Sequence, residues 1–122
     1  KPRYFNPGNM FDRITVLTPG DTDVDPADVQ IVAGDAELKV IPVGHFRPMR
    51  PWTYFSYRKR IREIVRSARP DVVRAYNPGV FGALAVDAAR RIDVPVAISV
   101  HNNYDFDSRT LAIHCLIRRR GL

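Results

Sequence analysis

From Leu38 onward, short apolar runs alternate with amphipathic helical patterns, and this alternation restricts the possible folds more than any other feature. We predict strands at Leu38–Val43, Asp71–Tyr76 and Val96–Val100, and helices from near Trp52 up to Pro70, at Gly79–Ile92 and at Ser108–Arg119. Strands and helices in this order, with continuously apolar strands, are typical of a parallel sheet covered by helices. The predicted fold class is therefore α/β, with a Rossmann-like parallel sheet and helices on both of its faces.

The segment before Leu38 is less regular. Arg13–Leu17 is predicted to be a short buried strand that ends at Thr18-Pro19-Gly20, and Val29–Val32 to be a minor strand. Between them, residues 21–28 hold four aspartates, a density that suggests a calcium loop. An EF-hand loop needs glycine at its sixth position and glutamate at its twelfth. Neither is present, so we predict a solvated loop.

The composition is that of an ordinary globular protein, with 122 residues, 45% of them hydrophobic and 26% charged. These shares exclude disorder of the whole chain. No run approaches the roughly 18 apolar residues of a membrane span. The single cysteine, Cys115, excludes an internal disulfide and a zinc site of clustered thiolates. We expect one domain over residues 1–122, truncated at both ends, because the chain starts at Lys1 and stops directly after a helical pattern.

Polar side chains follow two of the predicted strands. Right-handed crossovers place the ends of these strands, Tyr76-Asn77 and His101-Asn102, at the same edge of the sheet, where open α/β sheets bind ligands. An imidazole at that edge can hydrogen-bond a substrate hydroxyl or carry a proton. The alternatives are that His101 only caps its strand and that Asn77, in Asn-Pro-Gly, only forms a turn.

Other catalytic and metal motifs are missing from the sequence. His45 lies in a proline-rich linker and His114 in the middle of a predicted helix, and no histidine pair has metal-ligand spacing. G-x-S-x-G, the Walker loop and G-x-G-x-x-G are also missing, so the residues alone do not indicate nucleotide binding. We predict neither a metal site nor a bound cofactor.

The net charge of +6 is concentrated on one helix. We call its cationic side the basic face, which with the preceding linker comprises Arg47, Arg50, Arg58, Lys59, Arg60, Arg62, Arg66 and Arg69. It is either a solvated helix face, a surface for an anionic membrane, or a site for nucleic-acid phosphates. Nucleic acid is the least favoured partner, because Tyr54 and Tyr57 fall on the opposite, apolar side and cannot stack on bases.

Residues 11–17, residues 69–77 and residues 82–91 with 94–101 form three segments. Together they resemble the N-terminal domain of family-4 glycosyltransferases with the GT-B fold. Residues 69–77 (R-P-D-V-V-R-A-Y-N) resemble the strand that these enzymes carry as P-D-V-(I/V)-H-A-H. Gly82–Arg91 followed by Val94–His101 is similar to the next helix and strand, and Phe11–Leu17 to an earlier strand with the pattern G-H-E-V-x-V. The order and spacing of the three segments agree with the family over about residues 11–105.

The resemblance implies the acceptor-side half of a retaining, metal-independent transferase. Such an enzyme moves a sugar from a nucleotide-sugar donor to a saccharide or lipid-linked acceptor. His101 is implied as the catalytic residue that faces the donor sugar, with Asn77 and Asn102 as substrate-binding residues on the same rim. The chain differs from the family pattern at Arg74 and Tyr76, where members often carry histidines, and at Asn102, where an acid is frequent.

The resemblance also implies partners and a location. A C-terminal domain with an E-x7-E motif would hold the nucleotide, so the 122 residues alone are expected to be inactive. The expected location is the cytoplasm, peripheral at the inner membrane face, where Arg58, Lys59, Arg62 and Arg66 would contact anionic headgroups. The alternatives are a non-catalytic α/β binding module that uses the basic face on nucleic acid or an anionic surface, and a different doubly wound enzyme.

Overall fold

A computed structural model describes residues 3–45 and 50–100, and the chain divides into two compact units, Lys1–Arg69 and Pro70–Leu122. In the described residues, helices alternate with strands that pair in parallel, which confirms the predicted α/β class and is consistent with half of a GT-B fold. The predicted helix Ser108–Arg119 lies outside the described residues. A single domain over residues 1–122 stays a prediction.

The first unit is built on one pair of parallel strands. Strand β1 (Arg13–Thr18) runs beside β2 (Glu37–Pro42), with Arg13 opposite Glu37 and Thr18 opposite Pro42. Both strands were predicted, and just beyond Pro42 the Val43 N–H still donates to the Thr18 carbonyl at 3.0 Å. The strands pack on a small apolar core made of Ala33, Ala36 and Leu38 with Ile14, Val16, Val29 and Val40.

The connection between β1 and β2 corrects two predictions. Residues predicted as a solvated loop and a minor strand form helix α1 (Pro26–Val29) and a 3₁₀ turn at Gln30–Val32. The carboxylate of Asp25 accepts a hydrogen bond from the Ala27 N–H at 2.9 Å, and Pro26 occupies the start of the helix. An N-cap aspartate followed by proline fixes a helical start, and this local signal overrides the apolar pattern of Val29–Val32.

Helix α2 (Pro51–Ala68) follows in the same unit. Its predicted apolar side is confirmed, because Tyr57, Ile61 and Val65 are buried and Tyr54, Ile64 and Ala68 are half-buried. Proline at the first turn begins the helix. The helix ends at Ala68, and the next residue, Arg69, has the left-handed backbone (φ 45°) that is common after a last helical turn.

The second unit repeats the strand–helix–strand pattern. Strand β3 (Val73–Tyr76) pairs in parallel with β4 (Val96–Ser99), and helix α3 (Val80–Arg90) connects them and packs on both. The buried side of α3 consists of Gly82, Leu84, Ala88 and Ala89, three of them small residues that let the helix approach the strands closely. Phe81, which the 3.6-residue period places on the same side as Leu84 and Ala88, is exposed instead.

Strand β4 is less buried than its apolar sequence predicts. Ile98 is 40% exposed, and Val100, just after the strand, is 64% exposed. In the part of the chain that the structure describes, β4 has one strand neighbour, β3.

Candidate functional site

The carboxyl ends of β3 and β4 meet at one edge, as predicted. Tyr76 lies opposite Ser99, and the backbone N–H of Asn77 donates to the Ser99 carbonyl at 2.8 Å. Asn77 is therefore the first residue beyond β3, half-buried and in the left-handed conformation (φ 71°). Its neighbour across this edge, Val100, directly precedes His101 in the sequence. His101 and Asn102 lie outside the described residues, so their roles stay predictions.

The turn at Asn77 is held against the first turn of α3. A Cβ added to Gly82 would lie 2.8 Å from the Asn77 carbonyl oxygen, closer than van der Waals contact allows. Only glycine fits at this point, and the backbone of the helix therefore rests directly on the backbone of the turn. This contact fixes the direction in which the turn leaves β3.

Arg74 and Tyr76 form one structural feature on β3. They are two residues apart and so point to the same face of the strand. The Arg74 guanidinium lies 5.0 Å from the centre of the Tyr76 ring, and its Nε donates to Ser99 Oγ at 3.0 Å. A cation held over an aromatic ring is a stable arrangement. The two departures from the family pattern on this strand are thus linked, and together they place a fixed positive charge near the edge.

An open cavity of about 570 Å³ begins beside this turn and runs along α3. Its lining consists of Pro78, Gly82, Ala83, Val86, Asp87, Arg90, Arg91 and Ile98. The Arg74–Tyr76 pair and Asn77 are not part of that lining. The cavity therefore adjoins the predicted site without containing the side chains predicted to act there.

A second cluster lies at the carboxyl edge of β1 and β2, and sequence reasoning missed it. Gly20 and Gly44 exchange both backbone hydrogen bonds, at 2.9 and 2.8 Å, each with a left-handed φ (118° and 86°). One residue further on, Nε2 of His45 lies 3.7 Å from Oδ2 of Asp21, with both side chains exposed. Imidazole and carboxylate at this distance can hold a hydroxyl group between them or pass a proton.

Helix α2 is tied to the same edge. The hydroxyl of Tyr57 donates to the Gly44 carbonyl at 3.0 Å, and the Arg60 guanidinium donates to the Pro42 carbonyl at 2.9 Å. Burial raises the pKa of Tyr57, Arg60 lowers it, and the nearby carboxylate of Asp21 raises it further. Tyr57 therefore stays a neutral hydrogen-bond donor, which supports the backbone that carries His45.

The basic face is only partly free in solvent. Lys59, Arg60 and Arg66 are exposed, whereas Arg58 and Arg62 are half-buried. Lys59 forms an ion pair with Glu63 at 3.9 Å, one turn along the helix.

Among residues 3–45 and 50–100, no three His, Cys, Asp or Glu side chains are grouped to bind a metal ion. Within the same ranges no helix has the length and apolar character to cross a membrane.

Comparison with known families gives one match. The sequence model of a family described as a glycosyl transferase 4-like domain matches residues 9–121. Searches of curated proteins and of solved structures found no match. The matched range contains both strand edges, and it extends over His101 and Asn102 as well.

Proposed function

The chain belongs to the glycosyl transferase 4-like family, and from this we propose that it transfers a sugar from a nucleotide-sugar donor to a saccharide or lipid-linked acceptor. The proposal includes retention of the anomeric configuration and no requirement for a metal ion or other cofactor. The family match supports a transferase role in general.

One observation supports the placement of the site. The β3–β4 pair is parallel, and Asn77 sits at its carboxyl edge with its backbone bonded to β4. We propose that His101, which follows this edge in the sequence, contacts the donor sugar and the reaction centre. An imidazole there can hydrogen-bond the hydroxyls of the donor sugar while positive charge develops on the sugar ring. Asn77 and Asn102 would bind substrate hydroxyls, since amides both donate and accept hydrogen bonds.

The Asp21–His45 pair, within the first unit, is a second candidate for hydrogen bonds to a saccharide. Both side chains are exposed beside the backbone bridge of Gly20 and Gly44, at the edge where α/β folds bind ligands.

We propose that the nucleotide of the donor is held by a C-terminal domain of the full protein, as in the enzymes that this chain resembles. The proposed location is the cytoplasm, peripheral at the inner face of the membrane.

The experiment is a turnover assay with the full-length protein. Nucleotide sugars would be supplied with saccharide and polyprenyl-phosphate acceptors, and the product would be followed by proton NMR. We expect the anomeric proton of the product to keep the configuration of the donor, and the rate to be unchanged when EDTA is added. Inverted product, or a rate abolished by EDTA and restored by a divalent cation, would contradict the proposed mechanism. Absence of sugar transfer from every donor class would contradict the function.

A further inference from the structure

Helix α2 carries a second regular face besides its buried one. Residues at intervals of three and four fall on it, namely Trp52, Phe55, Lys59, Arg62 and Arg66, which we call the docking face. At 3.6 residues per turn these five positions span an arc of about 80°. The buried residues Tyr57, Ile61 and Val65 are centred about 140° away around the helix.

The first turn of the docking face exposes two large aromatic side chains. Trp52 is 66% and Phe55 68% exposed, which is unusual for the two residue types with the most to gain from burial. Neither belongs to the apolar side that packs in the fold. The two rings lie on one helical turn, and exposed apolar patches rimmed by polar residues are typical of interaction sites.

The remaining turns of the docking face are cationic. Lys59 and Arg66 are exposed and Arg62 is half-buried, and Glu63, paired with Lys59, is the acidic residue beside them. Aromatic and charged residues are separated along the axis: from Trp52 to Arg66 the helix rises about 21 Å. The rings occupy the N-terminal end and the cations the next three turns.

This order distinguishes between possible partners. A single-stranded nucleic acid is bound by aromatic rings interleaved with cations along its path, which the docking face lacks. An anionic membrane is contacted by tryptophan and phenylalanine rings at the level of the headgroups and by lysine and arginine over the phosphates. The separated pattern matches the second case.

We propose that the docking face of α2 binds the surface of an anionic phospholipid membrane, with Trp52 and Phe55 inserted among the headgroups and Lys59, Arg62 and Arg66 above the lipid phosphates. The helix then lies on the membrane with its N-terminal turn deepest. The inference specifies the membrane contact within the proposed function, and it does not require turnover for its test.

Trp52 is the only tryptophan of the 122 residues, and its emission in the full protein is obtained as the difference between that protein and its Trp52→Tyr variant. The full protein would be titrated with vesicles of phosphatidylcholine alone and with vesicles that also contain phosphatidylglycerol. We expect tryptophan emission to shift to the blue with the anionic vesicles and to be quenched by brominated lipid. Added salt should weaken the binding, since the headgroup charge is screened.

Variants separate the aromatic and charged contributions in vesicle co-sedimentation. Trp52→Ala with Phe55→Ala should weaken binding about tenfold or more, and Lys59→Gln and Arg66→Gln about fivefold each. The matched controls are Ile31→Ser, which removes another exposed apolar side chain, and Lys39→Gln, which removes another exposed cation. Trp52→Tyr should restore most of the binding, because tyrosine also partitions to the interface.

Three results would overturn the inference: an unchanged emission spectrum with anionic vesicles, equal losses in the control variants, or a blue shift with single-stranded nucleic acid but not with vesicles. Urea midpoints of all variants would exclude unfolding as the cause. The vesicle experiments contain no donor sugar, so a negative result in them would not contradict the proposed sugar transfer. Conversely, turnover of a water-soluble acceptor should be unchanged in the Trp52→Ala, Phe55→Ala protein.

Discussion

Asn6 directly precedes the first short helix of the described residues. The run Asn6-Pro7-Gly8-Asn9 predicts a turn, and Pro7–Asn9 does form a short 3₁₀ helix. The side chain of Asn6 is nevertheless completely buried. Its amide donates to the carbonyls of Phe11 (2.9 Å) and Ala33 (3.1 Å) and its oxygen accepts from the Phe11 N–H (2.9 Å). It thus joins the N-terminal turn to the core of the first unit.

Replacement of Asn6 by alanine should therefore destabilise the protein. The substitution removes three hydrogen bonds and leaves buried backbone groups without them, for a loss of about 2–3 kcal/mol. Urea unfolding of the protein would measure the change. Thr22→Ala, in an exposed loop, is the control and should change the free energy of unfolding by less than about 0.5 kcal/mol. Equal effects of the two substitutions would show that Asn6 is not a structural anchor.

Tyr57 gives a prediction for alkaline pH. Its pKa in the folded protein lies above the ordinary value of 10.0, chiefly because of burial. Above that ordinary value the unfolded chain releases the phenolic proton while the folded chain keeps it. The stability contributed by Tyr57 is thus complete below pH 10.0 and falls as the pH rises towards the folded pKa.

In Tyr57→Phe this alkaline loss of stability should disappear. At neutral pH the variant should lose about 1 kcal/mol with the hydrogen bond to Gly44. Urea midpoints measured from neutral pH upward would show both effects. Tyr54→Phe, on the same helix, is the control, and its midpoints should fall with rising pH as those of the unchanged protein do. An identical alkaline slope in Tyr57→Phe would mean that this hydroxyl is not protected by the fold.

At the level of elements, hydrophobic periodicity predicts most of the described fold. Strands β1, β2, β3 and β4 and helices α2 and α3 each lie within two residues of their predicted ends. Periodicity fails at Val29–Val32, where four apolar-biased residues are too few to separate strand from helix and the Asp25 cap decides. It also fails to predict that Phe81 is exposed, because a helical pattern does not show which residues the strands beneath will cover.

Gly82 tests how α3 meets the end of β3. By helix propensity alone, Gly82→Ala should stabilise the protein by about 1 kcal/mol. The 2.8 Å approach of the new Cβ to the Asn77 carbonyl should outweigh this gain, for a net loss of about 1–2 kcal/mol. Thermal or urea unfolding would give the sign. Gly79→Ser is the control, since a Cβ at Gly79 meets open space and serine suits the helix cap. A stabilised Gly82→Ala protein would contradict the close contact.

At the scale of the whole molecule, the sequence predicts where the strands end better than which side chains meet at those ends. Alternating strands and helices suffice to place Asn77 at a carboxyl edge. The Asp21–His45 pair was not predicted, because its members are far apart in sequence and meet only through the register of β1 with β2. The strand register would have predicted the pair: when Thr18 is aligned with Pro42, Gly20-Asp21 aligns with Gly44-His45.

We propose that the chain is part of a glycosyltransferase whose reaction centre lies at the β3–β4 edge, with His101 as the catalytic residue. The most direct measurement compares kcat for sugar transfer by the full-length protein and its His101→Ala variant. His114→Ala, to which no role is assigned, is the matched control. We predict a fall of about 100-fold or more for His101→Ala and no change for His114→Ala. Unchanged turnover in His101→Ala, or an equal fall in both variants, would contradict the claim.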